Sequence, residues 1–303
     1  MKKIAIVGCG FVGAAVAEGM KHAFEIYGHD VKLCGRSLYY WSQNGDRREV
    51  LKPNDERRSV LEYIIAEVDG PIFVSVPTPM RSDGSCDLSI LIDVITDIDK
   101  YCSAPNQSGK VVVIKSTVPP GTTEKLNEKC EHVHVCFNPE FLREATAIDD
   151  FKNQDRIIIG GPHAGTSILK QMYQKAYPDV PTTKTSSTIA EMVKYVTNCF
   201  LATKVSFANE IYQICDALDI DYDKVIEYAT KDKRLGTSHW AVPGPDGRFG
   251  FGLTCFPKDL NALIHLAADE LNVDPKIMRA VWQKNLEVRP EKDWEQMKGR
   301  AVV

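Results

Sequence analysis

The sequence predicts an α/β chain: a doubly wound sheet first, then an all-helical region with one long central helix. Three observations predict it. β-branched apolar runs alternate with helical patterns up to about residue 183. A glycine-rich turn follows the first of those runs. From Thr188 onward, apolar residues then recur at helical spacing for some thirty residues. The expected division is 1–184 for the α/β domain and 185–303 for the helical one.

The chain has 303 residues, 44% hydrophobic and 26% charged, which suits a globular protein of about two domains with real cores. A net charge of −4 gives no support to a nucleic-acid surface. No stretch is apolar enough for a membrane span, and the opening segment reads as a strand rather than a targeting peptide. Nine cysteines without a CxxC fit reduced thiols in the cytoplasm better than a disulfide framework or a zinc site, so no metal is expected.

Lys2 to Gly8 is a short buried strand that runs into Gly8-Cys9-Gly10-Phe11-Val12-Gly13, and a helical pattern follows from Ala14 to His22. A second strand, Phe24 onward, ends at Asp30, 17 residues after Gly13. Strand, glycines, helix, strand and terminal acid in that order form a Rossmann-type dinucleotide fingerprint. Gly8, Gly10, Phe11, Val12 and Gly13 would hold a pyrophosphate, and Asp30 an adenosine ribose. The carboxylate favours NAD over NADP, although Arg36 lies close by.

Trp41 to Ser59, with Arg47-Arg48 and Arg57-Arg58, is polar and reads as a solvated loop and helix edge. Strands are expected at Pro71–Val76 and Lys110–Ile114, with a helix at Leu88–Tyr101 between them. Both strands end in hydroxyl residues and prolines, which places Thr78, Ser116 and Thr117 on a cofactor-facing rim. His132–Cys136 and Arg156–Gly161 are further strands, the latter the last, followed by a helix from Thr166 to Ala176.

The long helix starts with Thr188 and Glu191 placed as a capping box. Lys194 and Asn198 are one turn apart on it and so share a face. Asp221–Ala229, Leu260–Leu271 and Pro275–Leu286 are further helices, and the chain ends in a polar tail. Between them lies Gly250-Phe251-Gly252-Leu253-Thr254-Cys255-Phe256-Pro257-Lys258-Asp259. Its glycines admit a close neighbour, whether backbone or ligand. A cysteine entering a helix meets the positive end of the helix dipole, which favours thiolate.

Taken together, GCGFVG, SVPTP, KSTVPPGT, FNPEFLREATAIDD, EMVKYVTNCFLATKVSFANE, RLGTSH and GFGLTCFPKDL run in one order from Lys2 to about Leu271. The chain resembles the UDP-glucose/GDP-mannose dehydrogenase family, most closely its members that oxidise UDP-glucose. The resemblance implies a four-electron oxidation of a nucleotide sugar's C6 alcohol to the acid, UDP-glucose to UDP-glucuronate, using two NAD in turn. Another sugar nucleotide, GDP-mannose or a UDP-N-acetylhexosamine, is the alternative substrate, and a catalytically silent NAD-binding dimer is the alternative of another class. By resemblance, Cys255 is the nucleophile, Lys194 and Asn198 stabilise the oxyanion, and Asp259 with Thr117 holds the water. Glu140 serves acid–base work and touches the sugar. Glu144 lies on the cofactor side, while Phe141 and Leu142 line the sugar nucleotide with Gly250, Phe251 and Gly252. Arg234 reaches the sugar across a homodimer built on the long helix. Two departures stand out: Leu253 occupies a position where the family has glycine, and the family's third, C-terminal domain has no counterpart up to Val303.

Overall fold

The computed structural model describes residues 1–31, 38–42, 48–51 and 59–303. Arg36, Arg47, Arg57 and Arg58 lie outside the described residues. The chain divides into two compact units: Met1–Thr78 with Leu88–Lys194, and Pro79–Asp87 with Tyr195–Val303.

Among the described residues the first unit carries one nine-stranded sheet, ordered β4-β3-β2-β1-β5-β6-β7-β8-β9. Its strands are β1 Lys3–Val7, β2 Glu25–His29, β3 Leu38–Trp41, β4 Arg48–Leu51, β5 Ile72–Val74, β6 Lys110–Ile114, β7 Val133–Phe137, β8 Ile157–Gly160 and β9 Thr182–Thr185. The middle five, β2-β1-β5-β6-β7, are parallel. Such strands are covered on both faces, which is why they read as continuous apolar runs. The two-residue alternation of side chains then divides each strand between two cores. Ile4, Ile6, Val111 and Val113 pack on one side with α1 (Phe11–Met20), α5 (Ala147–Lys152) and α6 (His163–Ala176). Ala5, Val7, Val112 and Ile114 pack on the other with α2 (Val60–Glu67), α3 (Ser89–Cys102) and α4 (Thr122–Asn127).

Two expectations are corrected at the sheet's edges. The Trp41–Ser59 stretch is not wholly loop, because β4 lies within it and pairs antiparallel with β3. Nor is β8 the last strand: it joins β7 antiparallel through Phe137 and Gly160, and β9 continues parallel to it. Edge strands bury less and carry polar residues, so periodicity marks them poorly.

The long helix α7 spans Ser187–Ala217, 31 residues, and the boundary between the units falls within it. Its expected capping box does not form. The first turn is capped by Ser186, whose Oγ accepts from the Ile189 N–H at 3.3 Å. Glu191 is fully buried and turned instead to the start of α4. It accepts from the Gly121 N–H (2.6 Å), the Thr123 N–H (2.8 Å) and the Thr123 hydroxyl (2.5 Å). Three donors at a helix N-terminus outbid one local N–H, the more so because the dipole there favours a carboxylate.

The second unit contains α8 (Tyr222–Ala229), α9 (Cys255–His265) and α10 (Lys276–Val288) beside the rest of α7. A small core of Ala208, Cys215, Tyr222, Trp240 and Val242 joins α7 to α8 and the loop beyond. The C-terminal segment, expected as a polar tail, is packed against the second unit through an apolar anchor. Trp294 is 1% exposed and packs against Trp282, with ring centroids 5.2 Å apart. Val302 bridges Met80, and the Met80 N–H donates to the Ala301 carbonyl. No described helix is long and apolar enough to cross a membrane.

Removing the Glu191 carboxylate strands buried N–H donors at α4. Glu191→Ala is expected to lower unfolding free energy in urea by about 2–3 kcal/mol, and Glu191→Gln, which keeps an acceptor, by clearly less.

Candidate active site

The first unit holds the cofactor-binding features. Gly8 has φ +88°, and a Cβ there would lie 2.5 Å from the Ser75 carbonyl oxygen. A Cβ at Gly13 would lie 2.0 Å from the Gly8 oxygen, so both positions require glycine. At Gly10 a Cβ would meet nothing within 4 Å, which leaves open space against the start of α1. No described side chain caps that helix, which leaves its start suited to an anion. Asp30, at the end of β2, accepts from the Cys9 N–H at 2.9 Å, which ties the carboxylate to the glycine turn. Ser75 Oγ, just beyond β5, is buried with no hydrogen-bond partner among the described residues. An open glycine cradle, a bare helix start, a carboxylate and an unspent hydroxyl together fit a dinucleotide.

The rim residues are held in place. Thr78 Oγ1 donates to the Thr117 carbonyl at 2.9 Å, and Ser116 Oγ to the Val76 carbonyl at 2.6 Å. Phe11 and Val12 are half-buried, and Glu144 lies exposed on a short 3-10 turn.

Beyond β7 the chain turns at Asn138-Pro139-Glu140. Lys194 and Glu140 form an ion pair of 2.9 Å with side chains only 4% and 6% exposed. The ammonium also donates to the Glu140 carbonyl at 2.6 Å. The second carboxylate oxygen accepts from the Leu142 N–H at 2.8 Å. Phe141 lies beneath the Arg156 guanidinium at 4.5 Å and 5.8 Å from the Lys194 ammonium.

The second unit holds the thiol. Cys255 is the first residue of α9, half-buried, with its sulfur 3.6 Å from Thr254 Oγ1. One turn on, Asp259 is 1% exposed. It accepts from Asn198 Nδ2 at 2.6 Å and from Lys258 Nζ at 2.5 Å. Burial works against the Lys258 charge, but Asp259, Cys255 and Cys86 outweigh it and hold its pKa above the ordinary value. Several other thiols are held in the neutral form. Burial pushes Cys102 and Cys130 up to about 11, Cys136 up to about 12 and Cys199 up as well. Cys255 combines partial exposure, which Cys86 and Cys130 share, with a helix start and a neighbouring ammonium.

Sequence reasoning missed what holds the loop before Cys255. The close approach that glycine permits at Gly250 and Gly252 is taken by side chains of the protein itself. A Cβ at Gly250 would meet Asn285 Oδ1 at 2.4 Å, and one at Gly252 would meet Asp293 and Arg289. Asn285 is fully buried, accepting from the Phe251 N–H at 2.7 Å and donating to its carbonyl at 2.9 Å. Arg289, 1% exposed, pairs with Asp246 at 2.6 Å and Asp293 at 2.7 Å. Asp293 in turn accepts from the Leu253 N–H at 3.0 Å. Leu253 thus keeps a left-handed backbone, φ +59°, with its side chain 48% exposed and outside the core. The substitution of leucine for glycine is absorbed as local strain of roughly 1–2 kcal/mol. Arg234 is 88% exposed at its side chain and pairs with Asp232.

The largely parallel sheet and its glycine cradle define a Rossmann-type dinucleotide-binding fold. The sequence pattern of the UDP-glucose/GDP-mannose dehydrogenase family's NAD binding domain matches residues 58–177, and that of its central domain matches 188–287. The chain belongs to this family. It is 38% identical over 233 residues to UDP-glucose 6-dehydrogenase of Pseudomonas aeruginosa, covering 71% of this chain and 48% of that protein. A UDP-glucose dehydrogenase from the archaeon Pyrobaculum islandicum has a similar structure, with TM-score 0.79 and 31% identity over 98% of this chain and 71% of that one. GDP-mannose dehydrogenase from P. aeruginosa is similar at TM-score 0.65 and 27% identity, with 98% and 71% covered. The chain spans about half to two thirds of the length of the curated relatives it matches.

The clamp yields a test. Burial opposes the Asp293 charge, but Arg289 and the Leu253 N–H outweigh it and hold the carboxyl below its ordinary value. A depressed folded-state pKa contributes stability above the unfolded value, and that stability is lost as pH falls from about 4 downward. Asp293→Asn is expected to flatten this acid loss in urea titrations. Arg289→Met is expected to cost roughly 3–5 kcal/mol and to speed alkylation of Cys255 by iodoacetamide at neutral pH.

Proposed function

We propose that this protein is an NAD-dependent nucleotide-sugar 6-dehydrogenase that oxidises UDP-glucose to UDP-glucuronate in two hydride transfers. The observation that carries this is the partly exposed Cys255 at the start of α9, one turn from an Asp259 held by Asn198 and Lys258. A simple alcohol dehydrogenase oxidises once and needs no thiol. The first unit is assigned to NAD, the second to the sugar nucleotide and dimerisation.

The residues have distinct tasks. The glycine turn and Asp30 would hold NAD, which when bound would supply a hydride acceptor for each oxidation. The first oxidation turns the C6 alcohol into an aldehyde. The Cys255 sulfur then adds to the carbonyl carbon, and the new oxyanion is met by the Lys194 ammonium and the Asn198 amide. Loss of a second hydride leaves a thioester on Cys255. Water, oriented by Asp259 with Thr117 and assisted by Glu140, cleaves it to the acid and the free thiol. For Lys194 to serve an oxyanion, part of its hold on Glu140 has to be exchanged for substrate. Phe141, Leu142 and the Gly250–Gly252 backbone are assigned to the sugar nucleotide, and Glu144 to the cofactor side. The likeness to a GDP-mannose dehydrogenase supports a second reading, the same chemistry on another sugar nucleotide.

A homodimer on α7 accompanies this assignment, in the cytoplasm. Ile189, Val196, Phe200, Phe207 and Ile214 are each about half exposed or more and recur at intervals of seven and four. Such a seam suits a second helix. Arg234 would then serve the partner's sugar.

Two measurements test these assignments. NADH released per UDP-glucose consumed is expected to be two, and Cys255→Ser is expected to abolish acid formation. One NADH per sugar, or unchanged acid from the variant, counts against the thiol route. Phe200→Asp is expected to shift the protein to monomer in sedimentation, and an unshifted dimer removes the seam from consideration.

A further inference from the structure

One buried titratable group has no part in the chemistry above. Lys115, at the end of β6, is 3% exposed. Its amine donates to Asn138 Oδ1 at 2.9 Å and to the Pro139 carbonyl at 3.4 Å. The same Asn138 oxygen accepts from the Tyr173 hydroxyl at 2.6 Å, and Asn138 Nδ2 donates to the Ile158 carbonyl at 2.7 Å. Asn138 is therefore fixed from β6, α6 and β8 at once. The two residues that follow it are Pro139 and Glu140, and Glu140 holds Lys194 through both its carbonyl and its carboxylate.

We propose that Lys115 is a positioning residue for the Lys194–Glu140 pair, acting through Asn138 and the Pro139 carbonyl. It fixes the turn that presents both Glu140 oxygens to the ammonium, and its charge sets the balance of a buried group of two amines and one carboxylate. The groups facing it are Glu140 beyond β7, Lys194 on α7, Tyr173 on α6 and the Phe151 ring on α5, 5.8 Å from the amine. Burial pushes the Lys115 ammonium down to about 7; Glu140 opposes that shift and Lys194 adds to it. Near neutral pH the amine therefore changes charge, and the pair beside it feels the change.

The kinetic arm of the test rests on the dehydrogenase function proposed above. In Lys115→Met, kcat is expected to fall roughly tenfold to a hundredfold, with KM for NAD and UDP-glucose changed little. The kcat–pH inflection near 7 is expected to disappear. Tyr173→Phe, which leaves the amine in place, is expected to lower kcat less and keep the inflection. A Lys115→Met profile that superimposes on wild type, or a loss confined to KM, overturns the proposal. The second arm needs no substrate and is read on the wild-type protein. In lysine ε-¹³C NMR of the wild-type protein, with signals assigned through Lys115→Arg and Lys194→Arg, Lys115 is expected to titrate near pH 7 and the Lys194 signal to move with it. A Lys115 signal that stays that of a cation through pH 9, or a Lys194 signal indifferent to it, overturns the proposal whatever the reaction proves to be.

Discussion

The structure turns on a buried ion pair, Lys194 with Glu140. Taking two such charges out of water costs several kcal/mol each, and mutual attraction alone rarely repays that. Here the ammonium donates to a carbonyl as well as to the carboxylate, and the carboxylate's other oxygen takes a backbone N–H. Two well-packed apolar side chains would stabilise the fold as well or better. The proposed chemistry accounts for the pair better than stability does: it holds an ammonium out of water beside a carboxylate, where the proposed oxyanion role would use it. Everything around it follows from that need. The strand end, the Asn138–Glu140 turn and the first turns of α7 have to be rigid for the pair to exist.

The second unit solves a parallel problem by different means. The nucleophile proposed at the start of α9 would be useful only if the loop before it were held. Asn285, Arg289 and Asp293 hold that loop through its backbone, and the buried Phe251 ring anchors it against Phe256 and Trp282. This is why a leucine can stand at position 253: its N–H is bonded, its side chain faces outward, and only the backbone is strained. The C-terminal segment that carries Asp293 and Trp294 is consequently part of the unit's framework.

Much of this was legible in the sequence, for identifiable reasons. The glycine turn, the buried parallel strands, Asp30 and the long helix each have a local signature, a spacing or a periodicity. What escaped notice was non-local. Glu191 sits at the right distance for a capping box, but its partners are seventy residues away in sequence at α4. Arg289 and Asn285 look like ordinary polar residues of a surface helix, and nothing in their spacing reports the loop they hold. β4 and β9 were missed because edge strands carry polar residues. The glycines before Cys255 were correctly seen as permitting close approach, yet residue type alone cannot say whether a ligand or an arginine does the approaching.

The central claim is that the Cys255 sulfur becomes covalently bound to the sugar during turnover. It is tested most directly by rapid-quench peptide mass spectrometry of a Glu140→Gln variant, in which hydrolysis is slowed, given UDP-glucose and excess NAD. The account predicts a UDP-glucuronyl thioester on the tryptic peptide Phe249–Lys258, which contains a single cysteine. NADH and acid accumulating while that peptide stays unmodified would contradict it.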